Sequence, residues 1–197
     1  MIEKNVGYAF CGSYCTFEKA IEALQKVCDT YTAVTPIMSE NAYKTDSRYG
    51  TAQSFIDRIE TICGKKILHS ISDVEPFGPK ALLDILIISP CTGNTLAKLA
   101  GGITDSSVTM ATKAHLRNNR PVLIAVSTND GLSGNASNVG ALLNRKNYYF
   151  VPFYQDDPSK KPRSIVADFD LMPDAAEAAL RGVQIQPVLC AAAVDET

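Results

Sequence analysis

The chain has 197 residues, of which 46% are hydrophobic and 20% charged, and this suits one globular domain (residues 1–197) with a substantial core. The net charge of −2 gives no electrostatic basis for binding nucleic acid or an anionic membrane. No apolar run is long enough to cross a bilayer, and we expect no signal peptide because a strand pattern starts almost at once. Six scattered cysteines without a CxxC pair, and only two histidines, disfavour a zinc site and indicate free thiols.

Predicted strands and helices alternate along the chain. Short runs rich in β-branched and aromatic residues predict strands at residues 5–10, 30–36, 65–68, 84–89, 121–127 and 148–153. Apolar residues at helical spacing predict helices at residues 16–27, 52–62, 95–99, 107–118, 138–145 and 173–181. Residues 70–79 are predicted to be irregular, and an exposed loop at 155–163 is predicted to open an irregular C-terminal extension. The alternation predicts a three-layer α/β fold with a mostly parallel, doubly wound (Rossmann-like) sheet.

Small and polar residues follow three of the predicted strands. In the most informative run, ILIISPCTGNT at 85–95, a buried apolar strand ends abruptly in small and polar residues before a helix begins. Because the carboxyl ends of parallel strands meet at one edge of the sheet, where ligands bind, we expect these residues to line a ligand site. The candidates are Gly12, Ser13, Thr35, Ser39, Ser89, Pro90, Cys91, Thr92, Asn94 and Thr95.

Each of these groups has a structural interpretation beside the ligand-binding one. Gly12 permits close backbone approach, and hydroxyls such as that of Ser13 near a helix N-terminus suit phosphate, but Ser and Thr are also ordinary helix caps. The Asn94 amide can hold a planar heterocycle or a carboxylate, and it can equally cap the helix predicted from Thr95. Without a GxGxxG or P-loop sequence, a Rossmann NAD site and an NTPase are disfavoured.

Residues 89–105, SPCTGNTLAKLAGGITD, resemble the PASANT motif and the following AxGIxD segment of the flavoprotein family. This family contains homo-oligomeric, flavin-containing cysteine decarboxylases and flavin prenyltransferases, and its members bind FMN in a Rossmann-like domain. The resemblance extends from the first strand to about Phe153. It implies a flavoprotein fold, FMN held by the strand-end residues named above, and a homo-oligomer built from trimers.

Two segments depart from the decarboxylase pattern. Aligning Leu83 and Asp84 with the family's small-residue–Asp pair puts Pro76 and Phe77 where the decarboxylases carry their catalytic His. After the fifth predicted strand, the sequence STNDGLSGN at 127–135 replaces the decarboxylases' Pro-Ala-Met-Asn type of segment. A decarboxylase mechanism is therefore disfavoured, and no catalytic residue is predicted.

Within the family, the segments CGSYC, SPCTGNT and NYYFVPFYQDDP resemble one branch of oxidoreductase subunits from spore-forming bacteria. This resemblance implies an enzyme of the mother-cell cytoplasm that oxidises a dihydropyridine dicarboxylate together with an A subunit, through which NADP takes part. Candidate cations for the substrate carboxylates, each of which also fits a solvated surface charge, are Lys113, Arg117, Arg120, Lys160, Lys161 and Arg163. The alternatives are an FMN-dependent decarboxylase or flavin prenyltransferase, and a non-catalytic flavin-binding partner subunit.

Overall fold

A seven-stranded sheet forms the centre of the computed structural model, which describes residues 1–191. The strands are β1 (Ile2–Phe10), β2 (Tyr31–Met38), β3 (Ile85–Cys91), β4 (Val122–Thr128), β5 (Tyr148–Phe150), β6 (Phe153–Tyr154) and β7 (Ile165–Ala167). Their order is β2-β1-β3-β4-β7-β6, with β5 also paired to β4. The pairs among β1 to β5 are parallel, and β7 is antiparallel to both β4 and β6. The predicted mostly parallel sheet is confirmed.

Helices cover both faces of the sheet. They are α1 (Phe17–Thr30), α2 (Glu40–Lys44), α3 (Ala52–Cys63), α4 (Ile71–Val74), α5 (Phe77–Lys80), α6 (Gly93–Gly101), α7 (Ser107–Leu116), α8 (Ala136–Leu143) and α9 (Met172–Leu180). Helices α1, α3 and α9 share one apolar core with the sheet, and α6, α7 and α8 share the core on the opposite face. The predicted three-layer α/β architecture is therefore confirmed.

Strand β3 lies at the centre of both cores. Ile85 and Ile87 pack into the core beneath α1, α3 and α9, whereas Leu86 and Ile88 pack into the core on the other face. Because both faces are covered, all of β3 is buried, which explains its unbroken apolar sequence. Full burial of each such side chain stabilises the fold by about 1.5–3 kcal/mol. The loop that leaves β3 thus starts from a fully buried strand.

The predicted strand at 65–68 is wrong. Only Leu68 pairs with β2, through the Leu68 amide to the Pro36 carbonyl (3.0 Å) and the Met38 amide to the Leu68 carbonyl (2.9 Å). Proline has no N–H, so Pro36 cannot donate the next bond that a longer parallel ladder requires. The charged end of Lys66 instead pairs with Glu60 of α3 at 2.7 Å.

Two further segments differ from the predictions. Residues 70–79, predicted to be irregular, contain α4 and the start of α5, and Ser70 and Asp73 form a capping box at α4. The predicted strand 148–153 is divided into β5 and β6 at residues 151–152, and β6 pairs with β7, which the sequence pattern did not predict. Pro152 lacks an N–H and marks the break.

His115 of α7 is fully buried, and its Nε2 atom lies 2.9 Å from the Pro121 carbonyl oxygen. Burial lowers the pKa of His115 from 6.5 to about 4, so the ring stays neutral in the fold at neutral pH. Between pH 6.5 and about pH 4, His115 binds a proton in the unfolded chain but not in the folded one. The free energy of unfolding should therefore fall as pH drops through this window, by about 3 kcal/mol in total.

Urea unfolding between pH 7.5 and pH 4.5 measures this dependence. We expect His115→Gln to reduce the loss of stability at low pH, because the glutamine side chain does not bind a proton in this range. Equal pH slopes in the wild type and the His115→Gln variant would contradict the assignment.

Candidate functional site

The carboxyl ends of β1, β2 and β3 border a cavity of about 680 Å³. Its wall comes from the loops that leave these strands, from the first turns of α6 and from the loop between α6 and α7. The predicted site residues that line it are Gly12, Ser39, Thr92, Asn94 and Thr95. The volume lies in the range of ligand and cofactor sites, and the position is the one expected for an open α/β sheet.

Asn94 is free to contact a ligand because another residue caps the helix. Thr92 is the N-cap of α6, and its hydroxyl accepts a hydrogen bond from the Thr95 amide at 3.2 Å. The alternative in which Asn94 caps the helix is therefore wrong. Asn94 is the second residue of α6, its side chain is exposed at the cavity, and within residues 1–191 its amide has no hydrogen-bond partner.

The first loop presents Gly12 to the cavity and turns Ser13 away from it. The Ser13 hydroxyl lies 2.9 Å from that of Ser127 at the end of β4, and the Thr16 hydroxyl donates to Ser127 at 3.1 Å. These three hydroxyls join the first loop to the end of β4. Ser127 was not among the predicted site residues, although its place at a strand end is the feature that identifies the others.

The two candidates near the end of β2 have different places. Ser39 lines the cavity, and its hydroxyl accepts a hydrogen bond from the Ala42 amide at 3.3 Å, which caps α2. Thr35 pairs with Gly7 within the β1–β2 ladder, because β2 continues to Met38. The Thr35 hydroxyl accepts from Lys65 at 3.3 Å and is not part of the cavity wall.

Ser89, Pro90 and Cys91 belong to β3 itself, which extends two residues beyond its predicted end. All three are buried, and the Ser89 hydroxyl lies 2.9 Å from that of the buried Tyr8. The Pro90 carbonyl accepts from the Cys11 amide at 3.2 Å. These residues hold the ends of β1 and β3 together beneath the cavity and do not line it.

Charged and aromatic side chains that the strand-end pattern missed also line the cavity. The charged and aromatic residues are Tyr14, Glu40, Lys98 and Asp105. Three further polar residues, Asn41, Thr45 and Ser106, also line the cavity. Lys98 lies four residues after Asn94 on α6. This spacing puts both side chains on one face of a helix, and it is the signal that could have identified Lys98 from the sequence. The Lys98 ammonium lies 2.8 Å from Asp105, and its hydrogen bond lowers the pKa of that carboxyl. Glu40 accepts from the Ser107 amide at 2.9 Å, at the start of α7.

Cys11 at the cavity and Cys91 beneath it are both buried. Burial raises the pKa of the Cys11 thiol to about 11, and burial also raises the pKa of Cys91. Both thiols are therefore protonated at neutral pH and are poor nucleophiles. The Cys11 sulfur instead accepts a hydrogen bond from the Thr95 hydroxyl at 3.3 Å.

The segment after β4 is locked against the start of α6. Asp130 accepts from the Thr128 hydroxyl at 2.5 Å and from the Asn135 amide at 2.8 Å. A Cβ atom at Gly93 would collide with the Asn135 nitrogen and would lie 2.6 Å from the Thr128 oxygen. A side chain at position 93 would therefore force these groups to shift where α6 begins, beside the cavity.

Some candidate cations and departures from the decarboxylase pattern have structural roles. Arg120 donates to the carbonyls of Ala81 and Leu83, and Lys161 pairs with Asp156 at 3.0 Å. Phe77, near the position of the decarboxylase His, is buried in α5 against α7 and does not line the cavity.

Comparisons with known proteins identify the family and the fold. The flavoprotein family matches residues 1–160. A curated relative, the B subunit of dipicolinate synthase of Bacillus subtilis (strain 168), is 43% identical over 186 residues, which cover 94% of this chain and 93% of the relative. The crystal structure of the dipicolinate synthase B subunit from Bacillus halodurans C gives a TM-score of 0.87 at 42% identity, over 95% of this chain and 96% of that chain. The FMN-dependent cysteine decarboxylase SpaF gives 0.66 at 21% identity, over 90% and 95% respectively, and shares the fold.

The chain therefore belongs to the flavoprotein family. Within that family it is similar, over nearly its whole length, to the B subunits of dipicolinate synthase. The predicted family is confirmed, and so is the branch within it that the segments CGSYC, SPCTGNT and NYYFVPFYQDDP indicated. Among residues 1–191, no helix is long and apolar enough to cross a membrane.

Proposed function

We propose that this chain is the flavin-binding subunit of a dipicolinate synthase, which oxidises dihydrodipicolinate to dipicolinate together with an A subunit. The observation that carries the proposal is the 43% identity to the dipicolinate synthase B subunit over 94% of the chain. In this proposal the enzyme works in the mother-cell cytoplasm of a spore-forming bacterium, and the A subunit contributes NADP.

The residues of the cavity suit FMN. The Asn94 amide has no partner within residues 1–191 and can hydrogen-bond the edge of a planar ring as both donor and acceptor. The nine-residue helix α6 starts at the cavity, and the N–H groups of its first turn favour an anion such as phosphate. The groups that would hold FMN are Asn94, the hydroxyls of Ser39, Thr92 and Thr95, and the Gly12 backbone, with the Ser13 loop behind them.

In the proposed reaction, the main role of the protein is to position the reacting groups. Aromatising a dihydropyridine removes a hydride, which a bound flavin or the NADP of the A subunit would accept, and a proton, which would pass to water. Asn94 would fix the orientation of the planar ring at the cavity. Lys98, held by Asp105 at 2.8 Å, places a positive charge on the same helix face. The buried Cys11, which lines the cavity, remains neutral, as does Cys91 beneath it.

A titration of the purified chain with FMN and with riboflavin tests the cofactor. We expect FMN to bind more tightly, by about 1.5–3 kcal/mol, because only FMN offers a phosphate for charge-assisted hydrogen bonds. Ser13→Ala should weaken FMN binding, since it breaks the link that holds the Gly12 loop to Ser127. Ser72→Ala, at an exposed position on α4, is the matched control. Equal calorimetric affinities for the two flavins would contradict a phosphate site.

We also propose that the chain assembles into a homo-oligomer built from trimers. The support is that the chain belongs to the flavoprotein family and resembles its homo-oligomeric decarboxylases in the PASANT-like segment at 89–95. Assembly would add surfaces of neighbouring copies to those described above.

An activity assay separates the proposed function from its alternatives. Dihydrodipicolinate is supplied to the A subunit alone, to this chain alone and to both, with NADP and FMN present, and dipicolinate is measured. We expect product formation to rise well above that of either subunit only in the mixture. Full activity of the A subunit alone would show that this chain is a non-catalytic partner. Decarboxylation of a cysteinyl substrate by this chain alone would show that it is a decarboxylase.

A further inference from the structure

A second cavity, of about 490 Å³, lies on the other side of the loop between α6 and α7. The loop contributes to both cavities: Gly102, Ile103 and Thr104 line this one, whereas Asp105 and Ser106 line the first. Ile103 is 50% exposed, which leaves a large apolar side chain in contact with water. Together with Leu99, Leu116 and the ring of Tyr148 it forms an apolar wall that is open to solvent.

Cations surround this apolar wall. Lys113 and Arg117 lie four residues apart on and just after α7, so their charges stand on one face and repel each other. Arg145 completes the set, and its guanidinium is held by the carbonyls of Leu99 and Ala100 at 3.0 and 2.5 Å. Among residues 1–191, no Asp or Glu lines this cavity and none forms an ion pair with Lys113, Arg117 or Arg145. The negative end of the α7 dipole favours cations there, but it does not account for the apolar cavity that they border.

A hydrogen-bond donor completes the site. The Tyr148 hydroxyl has no hydrogen-bond partner within residues 1–191, and burial raises the pKa of Tyr148 to about 12. The hydroxyl therefore stays protonated at neutral pH and can donate to a carboxylate. The cavity thus offers a fixed guanidinium, two further cations and one hydroxyl around an apolar wall. This combination suits a ligand with a planar apolar ring and more than one carboxylate. A simple inorganic anion would leave the apolar wall, including Ile103, exposed to water.

We propose that this second cavity binds a small aromatic dicarboxylate, with its ring against Ile103, Leu116 and Tyr148 and its carboxylates toward Lys113 and Arg117. The choice of dipicolinate as that ligand rests on the proposed function. The loop between α6 and α7 separates the ligand from the first cavity, so this is a place where product is bound away from the site of oxidation.

Calorimetric titration of the full chain with dipicolinate, in buffer free of divalent metals, tests the proposal. We expect Lys113→Gln and Arg117→Gln each to weaken binding about tenfold, the size expected for one lost charge-assisted hydrogen bond. Lys146→Gln removes a neighbouring exposed charge that does not line the cavity, and it should change the affinity less than twofold. The affinity should fall as salt is added.

Two related probes define the ligand chemistry. Pyridine-2-carboxylate, with one carboxylate, should bind more weakly than dipicolinate, and the neutral pyridine-2,6-dimethanol more weakly still. Equal binding of the neutral probe, unchanged binding by both variants, or no binding of dipicolinate to the wild type would each overturn the proposal. The proposal would also be overturned if Arg117→Glu changed the oligomeric state and left dipicolinate binding unchanged, because the cavity would then belong to an interface between copies.

Titration in the presence of saturating FMN separates this proposal from the proposed function. We expect dipicolinate to bind with unchanged affinity when FMN is present, since the two cavities have different walls. Displacement of dipicolinate by FMN would place the dicarboxylate in the first cavity and overturn the second site. Absence of FMN binding, with dipicolinate binding still sensitive to Lys113 and Arg117, would instead overturn the cofactor assignment and leave the second site standing.

Discussion

Substituting Asn94 with alanine is expected to lower dipicolinate formation by this chain and its A subunit by about 10²–10³-fold, the usual cost of losing one polar contact that acts on developing charge. The reason is the position of the side chain. Asn94 is exposed at the cavity on the first turn of α6, and Thr92, not Asn94, caps the helix. The substitution therefore removes a ligand-facing amide and leaves the helix cap intact, so the fold should survive.

The Asn94→Ala variant is compared with Asn144→Ala, which removes an exposed amide at the end of α8, outside the cavity. Joint activity, FMN affinity and the thermal unfolding midpoint are measured for both. We expect all three to stay near wild type in Asn144→Ala, and only the midpoint to do so in Asn94→Ala. Unchanged FMN binding and unchanged turnover in Asn94→Ala would show that the central residue of the site has been misassigned.

Replacing Gly93 with alanine should destabilise the fold by about 2–4 kcal/mol, because the added methyl group overpacks a hydrogen-bonded network. The new Cβ atom would collide with the Asn135 nitrogen and would lie 2.7 Å from the Asp130 oxygen. A shift of either side chain would strain the 2.8 Å bond between Asn135 and Asp130 or the 2.5 Å bond from Thr128 to Asp130. Because Gly93 is the first residue of α6, the shift should also weaken FMN binding.

Gly101→Ala on the same helix is the matched control. A Cβ atom there meets only Ile103, at 3.7 Å, which is ordinary van der Waals contact. Alanine is favoured over glycine in a helix by about 0.5–1 kcal/mol, so this variant should be unchanged or slightly more stable. Denaturant titration measures both variants. A Gly93→Ala protein as stable as Gly101→Ala would contradict a rigid contact between α6 and the segment after β4.

The central strand and the loop after it could be predicted because their causes are local. Burial on both faces selects an unbroken apolar run, and the change to small and polar residues marks where β3 ends and α6 begins. The same local reasoning failed at residues 65–68. There the decisive fact is that Pro36, on a neighbouring strand, cannot donate a hydrogen bond to a longer ladder.

The choice among the candidate site residues depended on how far each strand extends. Thr35 and Ser39 are equally polar and four residues apart, and only the pairing of β2 with β1 as far as Met38 places Ser39 at the cavity and Thr35 in the ladder. Side chains alternate across a strand, so a shift in its end by a residue or two changes which side chains reach the site.

By itself, the sequence determined the α/β class, the edge of the sheet that carries the cavity, and the flavoprotein family through residues 89–105. The first two features follow from composition and spacing within short segments, whereas the family follows from the resemblance of residues 89–105 to its PASANT and AxGIxD segments. The tertiary structure alone decided that Ser13 meets Ser127, which lies 114 residues away, and that Arg145 joins Lys113 and Arg117 at one cavity. Contacts between distant residues depend on strand order and helix packing, which no local pattern specifies.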